Sequence, residues 1–142
     1  MYILIVGAGR VGAAVAKQLL MAEHEITVID NDPDRCIVIE EELGGVAVLG
    51  EGTEAAILGR AGANRANVFI ATTRRDDDNL VACQLAKHWF GATRVVALVN
   101  VPEHVELFNR LGIDVSVNTA QLLVNKIEDS LSTMLTEEAG GF

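Results

Sequence analysis

The sequence predicts an α/β fold: a doubly wound, parallel, six-stranded sheet in a single domain, with helices on both faces. Three observations predict it. Short apolar runs alternate with segments of helical period along the whole chain. The hydrophobic residues, half of the 142, are almost all aliphatic, with only 4% aromatic, which suits strands buried on both faces. The first apolar run leads through a glycine-rich turn into a helix and then into a second run that ends in an acid, the layout of a βαβ unit.

Taken in order, Tyr2-Ile3-Leu4-Ile5-Val6 reads as the first strand and Gly7-Ala8-Gly9-Arg10-Val11-Gly12 as the loop that follows. A helix is expected from Arg10 to about Ala22, with Val11, Val15 and Leu19 on one face. Glu23-His24-Glu25 turns the chain into the second strand, Ile26 to Ile29, which ends at Asp30. Asp32 is a good N-cap and Pro33 fits the first helical position, so a second helix should run to about Leu43, with Ile37 and Val38 among its apolar residues. Gly44-Gly45 ends it. Val46 to Leu49 is a short third strand. It opens onto a second glycine-bearing loop, Gly50-Glu51-Gly52-Thr53-Glu54, where Thr53 is expected to cap a brief helix reaching Arg60.

Asn67 to Ala71 is the fourth strand, and Thr72-Thr73-Arg74-Arg75-Asp76-Asp77-Asp78-Asn79 is a polar loop at its carboxyl end. Leu80, Cys83 and Ala86 continue along one helical face towards Trp89, and Gly91 ends that helix. Arg94 to Val99 is the fifth strand. Pro102 starts a short helix to about Leu111, and Ile113 to Val117 is the sixth strand. A last amphipathic helix begins near Thr119, with Leu122, Leu123, Ile127 and Leu131 on its apolar side. The domain is expected to span residues 1–135. The acidic, glycine-rich tail, 136–142, is expected to fray. A sheet of this kind takes the order 3-2-1-4-5-6, with a ligand crevice between the first and fourth strands. Gly7 to Gly12 and Ala71 to Thr73 then face each other across it.

The glycine loop has a physical logic. Gly7 permits the tight turn out of the first strand. Gly9 lets the backbone approach a pyrophosphate, and Gly12 lets the helix lie close to the strand. Free N–H groups and the positive end of the helix dipole face the phosphates, and Arg10 lies within reach of them. Asp30 is placed to accept hydrogen bonds from a ribose, and its charge argues against a 2′-phosphate and so against NADP. Strand, loop, helix and acid together mark a Rossmann-like nucleotide site.

Other classes of function are disfavoured. The net charge is −9 and the pI about 4.7, which suits neither nucleic acid nor an anionic membrane surface. No apolar run approaches the roughly 20 residues of a membrane span. Met1 leads directly into the first strand, so no signal peptide is expected, and the chain should be cytoplasmic. Cys36 and Cys83 form no CxxC pair and read as small buried hydrophobes. Among His24, His88 and His104 only the last lies near a plausible ligand end, and capping suits it better than catalysis. Asp76-Asp77-Asp78 reads as a helix start enriched in acids rather than a metal site. No catalytic set emerges, so an enzyme is not expected. The alternative is the cofactor-binding domain of an NAD-dependent oxidoreductase lacking its substrate domain.

Gly7-Ala8-Gly9-Arg10-Val11-Gly12, Val28-Ile29-Asp30-Asn31-Asp32, Gly50-Glu51-Gly52-Thr53-Glu54, Ala71-Thr72-Thr73, Asn100 to Glu103 and Leu111-Gly112-Ile113-Asp114 together resemble the TrkA-type KTN/RCK nucleotide-binding domains. These are regulatory subunits of Trk/Ktr potassium-uptake systems. The likeness runs from Met1 to about Leu131. It contains no counterpart of the C-terminal RCK subdomain of many relatives, as in a one-domain form or a fragment. It implies a domain that binds NAD(H), or ATP, ADP or AMP, performs no chemistry, and gates a membrane potassium transporter subunit of the TrkH/KtrB type. It further implies self-association as a dimer or higher ring, peripheral to the inner face of the cell membrane.

By the same likeness Gly7, Ala8, Gly9, Arg10 and Val11 hold phosphate, with Arg10 also able to reach a neighbouring subunit's nucleotide. Asp30 holds the adenosine ribose, and Asn31 and Arg35 join the cofactor set. Gly50, Glu51, Gly52 and Thr53 lie by the adenine, and Ala71, Thr72 and Thr73 lie across the cleft. Two positions depart from the family pattern. Leu98 stands where members often carry Lys or Arg, and Asn118-Thr119-Ala120 stands where some ATP-binding members carry an acid. Both departures weaken the case for cation-assisted ATP binding and favour NAD(H) or a less charged nucleotide.

Overall fold

The computed structural model describes residues 1–140. Its sheet contains β1 (Tyr2–Val6), β2 (Glu25–Asp30), β3 (Ala47–Leu49), β4 (Val68–Ala71), β5 (Arg94–Val99) and β6 (Val115–Asn118). All pairings are parallel and the order is β3-β2-β1-β4-β5-β6, as expected. The connecting helices are α1 (Arg10–Met21), α2 (Pro33–Leu43), α3 (Ala55–Arg60), α4 (Asp76–Gln84) and α5 (Val105–Arg110), and α6 (Thr119–Gly140) follows β6.

β1 sits at the centre and every residue in it is buried. Side chains alternate across a strand, so Ile3 and Ile5 enter one layer while Leu4 and Val6 enter the other. The first layer packs Ile3, Ile5, Val28 and Ile26 against Ala16 of α1 and Ile39 of α2. The second packs Leu4, Val6, Phe69 and Val95 against Leu58 of α3, Cys83 of α4 and Phe108 of α5. Burial of each large aliphatic side chain contributes about 1.5–3 kcal/mol, so the sheet centre anchors the fold.

Local signals account for the starts of α2 and α6. Asp32 accepts a hydrogen bond from the Asp34 N–H at 2.9 Å, and Pro33 opens α2. Asn118 does the same for α6, its Oδ1 accepting from the Gln121 N–H at 2.8 Å.

Several expectations are corrected. Thr53 does not cap α3: the cap residue is Glu54, without a side-chain hydrogen bond. In α2 the inward residues are Cys36 and Ile39, and Ile37 and Val38 are exposed. α4 does not continue as a regular helix to Trp89. It passes into a π-helical turn, Leu85–Trp89, closed by the Phe90 N–H on the Leu85 carbonyl at 3.1 Å. The wider turn takes Trp89 off the buried row of Cys83 and Ala86, and its side chain is 73% exposed. α6 runs on through Gly140, across much of the stretch expected to fray, while residues 141–142 lie outside the described residues. Leu122, Leu123, Ile127 and Leu131 are all more than half exposed, so this stripe does not pack on its own sheet.

Candidate functional site

Chain connectivity puts the loops after β1, β2, β3 and β4 at one edge of the sheet, where the strand order reverses on either side of β1. Between these loops lies a crevice with about 740 Å³ of empty space, part of it open to solvent. Its walls are Val6, Gly7, Gly9, Ile29, Asp30, Asn31 and Arg35, the second glycine loop Gly50 to Thr53, and Thr72 to Arg75 with Asp78.

The first loop is built by exclusion of side chains. Gly7 sits at φ +108°, and a Cβ there would come 2.7 Å from the Thr72 hydroxyl. A Cβ on Gly12 would fall on the Gly7 carbonyl oxygen, so only glycine lets α1 start this close to the strand. A Cβ on Gly9 would meet nothing within 4 Å, so the space beside it is open. Gly9 is also the cap residue of α1, offers no side-chain acceptor, and is followed by no acid in the first turn. The first N–H groups of a helix lack internal partners, and here no side chain of the helix start neutralises them.

Asp30 is buried at the end of β2. Its Oδ2 accepts from the Ala8 N–H at 2.7 Å and its Oδ1 from the Asp32 N–H at 2.8 Å, so one carboxylate ties the glycine loop to the β2–α2 turn. A carboxylate has about four acceptor positions, which leaves capacity for a hydroxyl donor. Arg35 Nη1 stands 3.8 Å from Asp30. Asn31 donates to Glu51 at 2.9 Å, joining the loops after β2 and β3. Gly52 closes this wall, since a Cβ there would overlap the Val6 side chain.

The opposite wall is braced from behind. The Thr72 hydroxyl lies 3.1 Å from the Val6 carbonyl and 3.2 Å from that of Gly7, and donates to this pair. Asn79, fully buried, accepts from both the N–H and the hydroxyl of Thr73 and donates to the Thr73 and Leu98 carbonyls. Asp76 accepts from the N–H groups of Asn100 and Val101, from the Asn100 side chain, and pairs with His104 Nδ1 at 2.8 Å. Burial pushes the Asp76 carboxyl up, but these hydrogen bonds together outweigh it and hold it below the usual carboxylate range. Asp76 therefore does more than complement a helix dipole: it binds the β5–α5 loop to the start of α4. Burial pushes the Cys83 thiol up to about 12, and that of Cys36 up as well, so both behave as buried hydrophobes. Among the described residues no group of His, Cys, Asp and Glu side chains is arranged to hold a metal.

The crevice brings together Gly7, Gly9, Asp30, Asn31, Arg35, Gly50, Glu51, Gly52, Thr53, Thr72 and Thr73. Ala8, Arg10, Val11 and Ala71 are outside its lining: Ala8 offers its N–H to Asp30, Ala71 is buried beside Val6 in the sheet, and Arg10 and Val11 are exposed on the first turn of α1. Arg74, Arg75 and Asp78 are lining residues that sequence reasoning missed. The polar stretch Thr72 to Asn79 was the available signal, but spacing alone does not say which of its side chains turn inward.

Comparison with known proteins agrees with this fold. The TrkA-N domain family matches residues 3–119. The chain is 36% identical over 114 residues to the Trk system potassium uptake protein TrkA homolog of Methanothermobacter thermautotrophicus, covering 80% of this chain and 52% of that protein. It is 37% identical over 113 residues to the Trk system potassium uptake protein TrkA of Streptomyces coelicolor, covering 80% and 51%. The chain thus spans about half the length of these curated relatives. Among solved structures, the TrkA-N domain of inner membrane protein YbaL from Escherichia coli superposes with a TM-score of 0.84 at 22% identity, covering 92% of this chain and 96% of that one. The GsuK channel bound to NAD superposes at 0.76 with 26% identity (86% and 22% covered), and GsuK bound to ADP at 0.78 with 29% identity (94% and 34%). With a family match across most of its length and a crevice at the switch point of its parallel sheet, this chain belongs to the TrkA-N domain family.

Proposed function

We propose that this chain is a nucleotide-sensing regulatory domain that gates a membrane potassium transporter and performs no chemistry on its ligand. One observation carries the reading. Four loops converge on an open glycine-lined crevice at an uncapped helix start, while His24, His88 and His104 all lie outside its walls. A cradle with no acid, base or nucleophile arranged for catalysis suits binding and release. The names of the curated relatives support a role in potassium uptake, and the NAD- and ADP-bound GsuK structures support an adenosine nucleotide as ligand.

In this reading Gly7 and Gly9, with the N–H groups of Arg10 and Val11, hold phosphate, and Asp30 with Asn31 holds the adenosine ribose. Arg35 flanks that ribose, Glu51 and Thr53 border the adenine, and Thr72 and Thr73 face them. The ligand is NAD(H) or one of ATP, ADP and AMP. Residues 1–135 form the binding domain. The partner is a transporter subunit of the TrkH/KtrB type, met at the inner face of the membrane by a dimer or larger ring. No helix among the described residues is long and apolar enough to cross a membrane itself.

Isothermal titration with NAD⁺, NADH, ATP, ADP and AMP tests the sensing role. At least one should bind with a Kd well below about 1 mM, and failure of all five would remove it. Turnover of NADH with a small keto acid would instead establish the cofactor domain of an oxidoreductase.

A further inference from the structure

We propose that Arg74 is a specificity-determining residue of the crevice, selecting adenosine nucleotides that end in a phosphate, ADP and ATP, over NAD⁺. The inference rests on the nucleotide reading above. Because β2 and β4 flank β1, the crevice has two chemically different ends. At the β2 end stand Asp30, Asn31 and Glu51, acceptors suited to the hydroxyl and amino groups of an adenosine. At the β4 end stand Thr72, Thr73, Arg74, Arg75 and Asp78.

Three arginines line the crevice, and two are already engaged. Arg35 lies 3.8 Å from Asp30 and 4.0 Å from Asp32. Arg75 lies 3.0 Å from Asp77 and 3.7 Å from Asp78, so it neutralises the acids beside it. Arg74 enters no ion pair among the described residues. Its backbone is nonetheless well held. Thr73 on one side is locked to the buried Asn79, and the Thr73 hydroxyl also lies 3.3 Å from the Arg75 N–H on the other. A cation without a partner among the described residues thus stands on a braced loop on the β4 side of the crevice, across β1 from the β2 wall.

The chemistry of the candidate ligands then differs at this end. With the adenosine against Asp30 and the first phosphate over the glycine loop, the remainder of the ligand reaches towards Arg74. ADP and ATP present a terminal phosphate with additional negative charge and acceptor oxygens. NAD⁺ presents a riboside carrying a cationic ring. A guanidinium attracts the first through charge-assisted hydrogen bonds and repels the second. The absence of a cation at Leu98, in β5, favoured NAD(H) or a less charged nucleotide on sequence grounds, but Arg74 supplies one from the loop between β4 and α4.

Titration of the chain and of Arg74→Gln, Arg74→Lys and Arg94→Gln with ADP, ATP and NAD⁺ tests this. Arg74→Gln should weaken ADP and ATP about tenfold while NAD⁺ binding holds or tightens. Arg74→Lys should keep most of the preference, and Arg94→Gln, an exposed change at the amino end of β5 and outside the crevice wall, should leave it in place. Arg74 is exposed, so equal melting temperatures should accompany these changes. An unchanged ADP-to-NAD⁺ affinity ratio in Arg74→Gln, or equal weakening of all three ligands, overturns the inference and leaves the nucleotide reading standing. A wild-type chain that binds none of them removes both.

Discussion

Asp30 and Asp76 organise the two walls of the crevice, each by collecting backbone N–H groups from a neighbouring loop. Such bonds to a buried carboxylate are worth more than neutral ones, and losing the acceptor leaves donors unpaired. Asp76 offers a clean test because its acidity has shifted. Its carboxyl lies below the ordinary aspartate range in the folded chain, so folding favours the ionised form. That contribution is fully present above the unfolded value and disappears as pH falls through the lower folded value. Urea unfolding should therefore show stability falling with acidification below about pH 4, with part of that fall missing in Asp76→Asn. At neutral pH the same variant should be less stable by about 1–3 kcal/mol, since Asn100 and Val101 compete for one remaining acceptor. An identical acid profile in both chains would show that the Asp76 bonds contribute nothing to folding.

At the scale of elements, the glycine loop and α1 act as one unit, but its glycines differ in kind. Gly12 is required by packing, because its missing Cβ is the space occupied by the Gly7 carbonyl. Gly9 has nothing near that position and has φ −75°, which any residue adopts. Gly12→Ala should therefore destabilise the chain by about 3 kcal/mol, as overpacking against backbone does. Gly9→Ala should leave the melting temperature within a few degrees while weakening nucleotide binding, since its methyl group projects into open crevice. Thermal melts paired with titrations separate the two, and full binding by Gly9→Ala would show that phosphate does not approach there. The start of α1 was readable from the glycine spacing, because that spacing expresses a local steric demand. The π-helical turn after α4 was not. A single extra residue in a turn leaves no mark on an otherwise periodic pattern, yet it exposes Trp89.

At the scale of the whole molecule, α6 presents an uncovered apolar stripe. Val124, Ile127, Leu131 and Met134 recur every three or four positions on a helix whose large apolar residues are exposed. A stripe of this spacing suits helix-to-helix packing between two copies. The proposed dimer should use it, and sedimentation velocity would check this. Ile127→Asp with Leu131→Asp should shift the chain from dimer to monomer without lowering monomer stability, because neither side chain enters the core. A double variant that sediments like the unmodified chain would place self-association elsewhere.

By itself the sequence determined the parallel sheet, its strand order, the glycine loop and the position of Asp30 at the end of β2. Periodicity, caps and glycine stereochemistry are properties of neighbouring residues, so they can be read without knowing what lies across the fold. Tertiary structure alone decided which parts of distant loops share a surface. It put Arg74, Arg75 and Asp78 on the crevice wall, left Ala8 and Ala71 behind it, and turned Asp76 from a helix-start acid into the clasp of the β5–α5 loop. It also left the apolar side of α6 uncovered, whereas the pattern of Leu122, Leu123, Ile127 and Leu131 reads the same for a buried face and an exposed one. The physical reason is common to all of these. A side chain's local period says that it shares a face with its neighbours, and only the packing of separate elements says what that face meets.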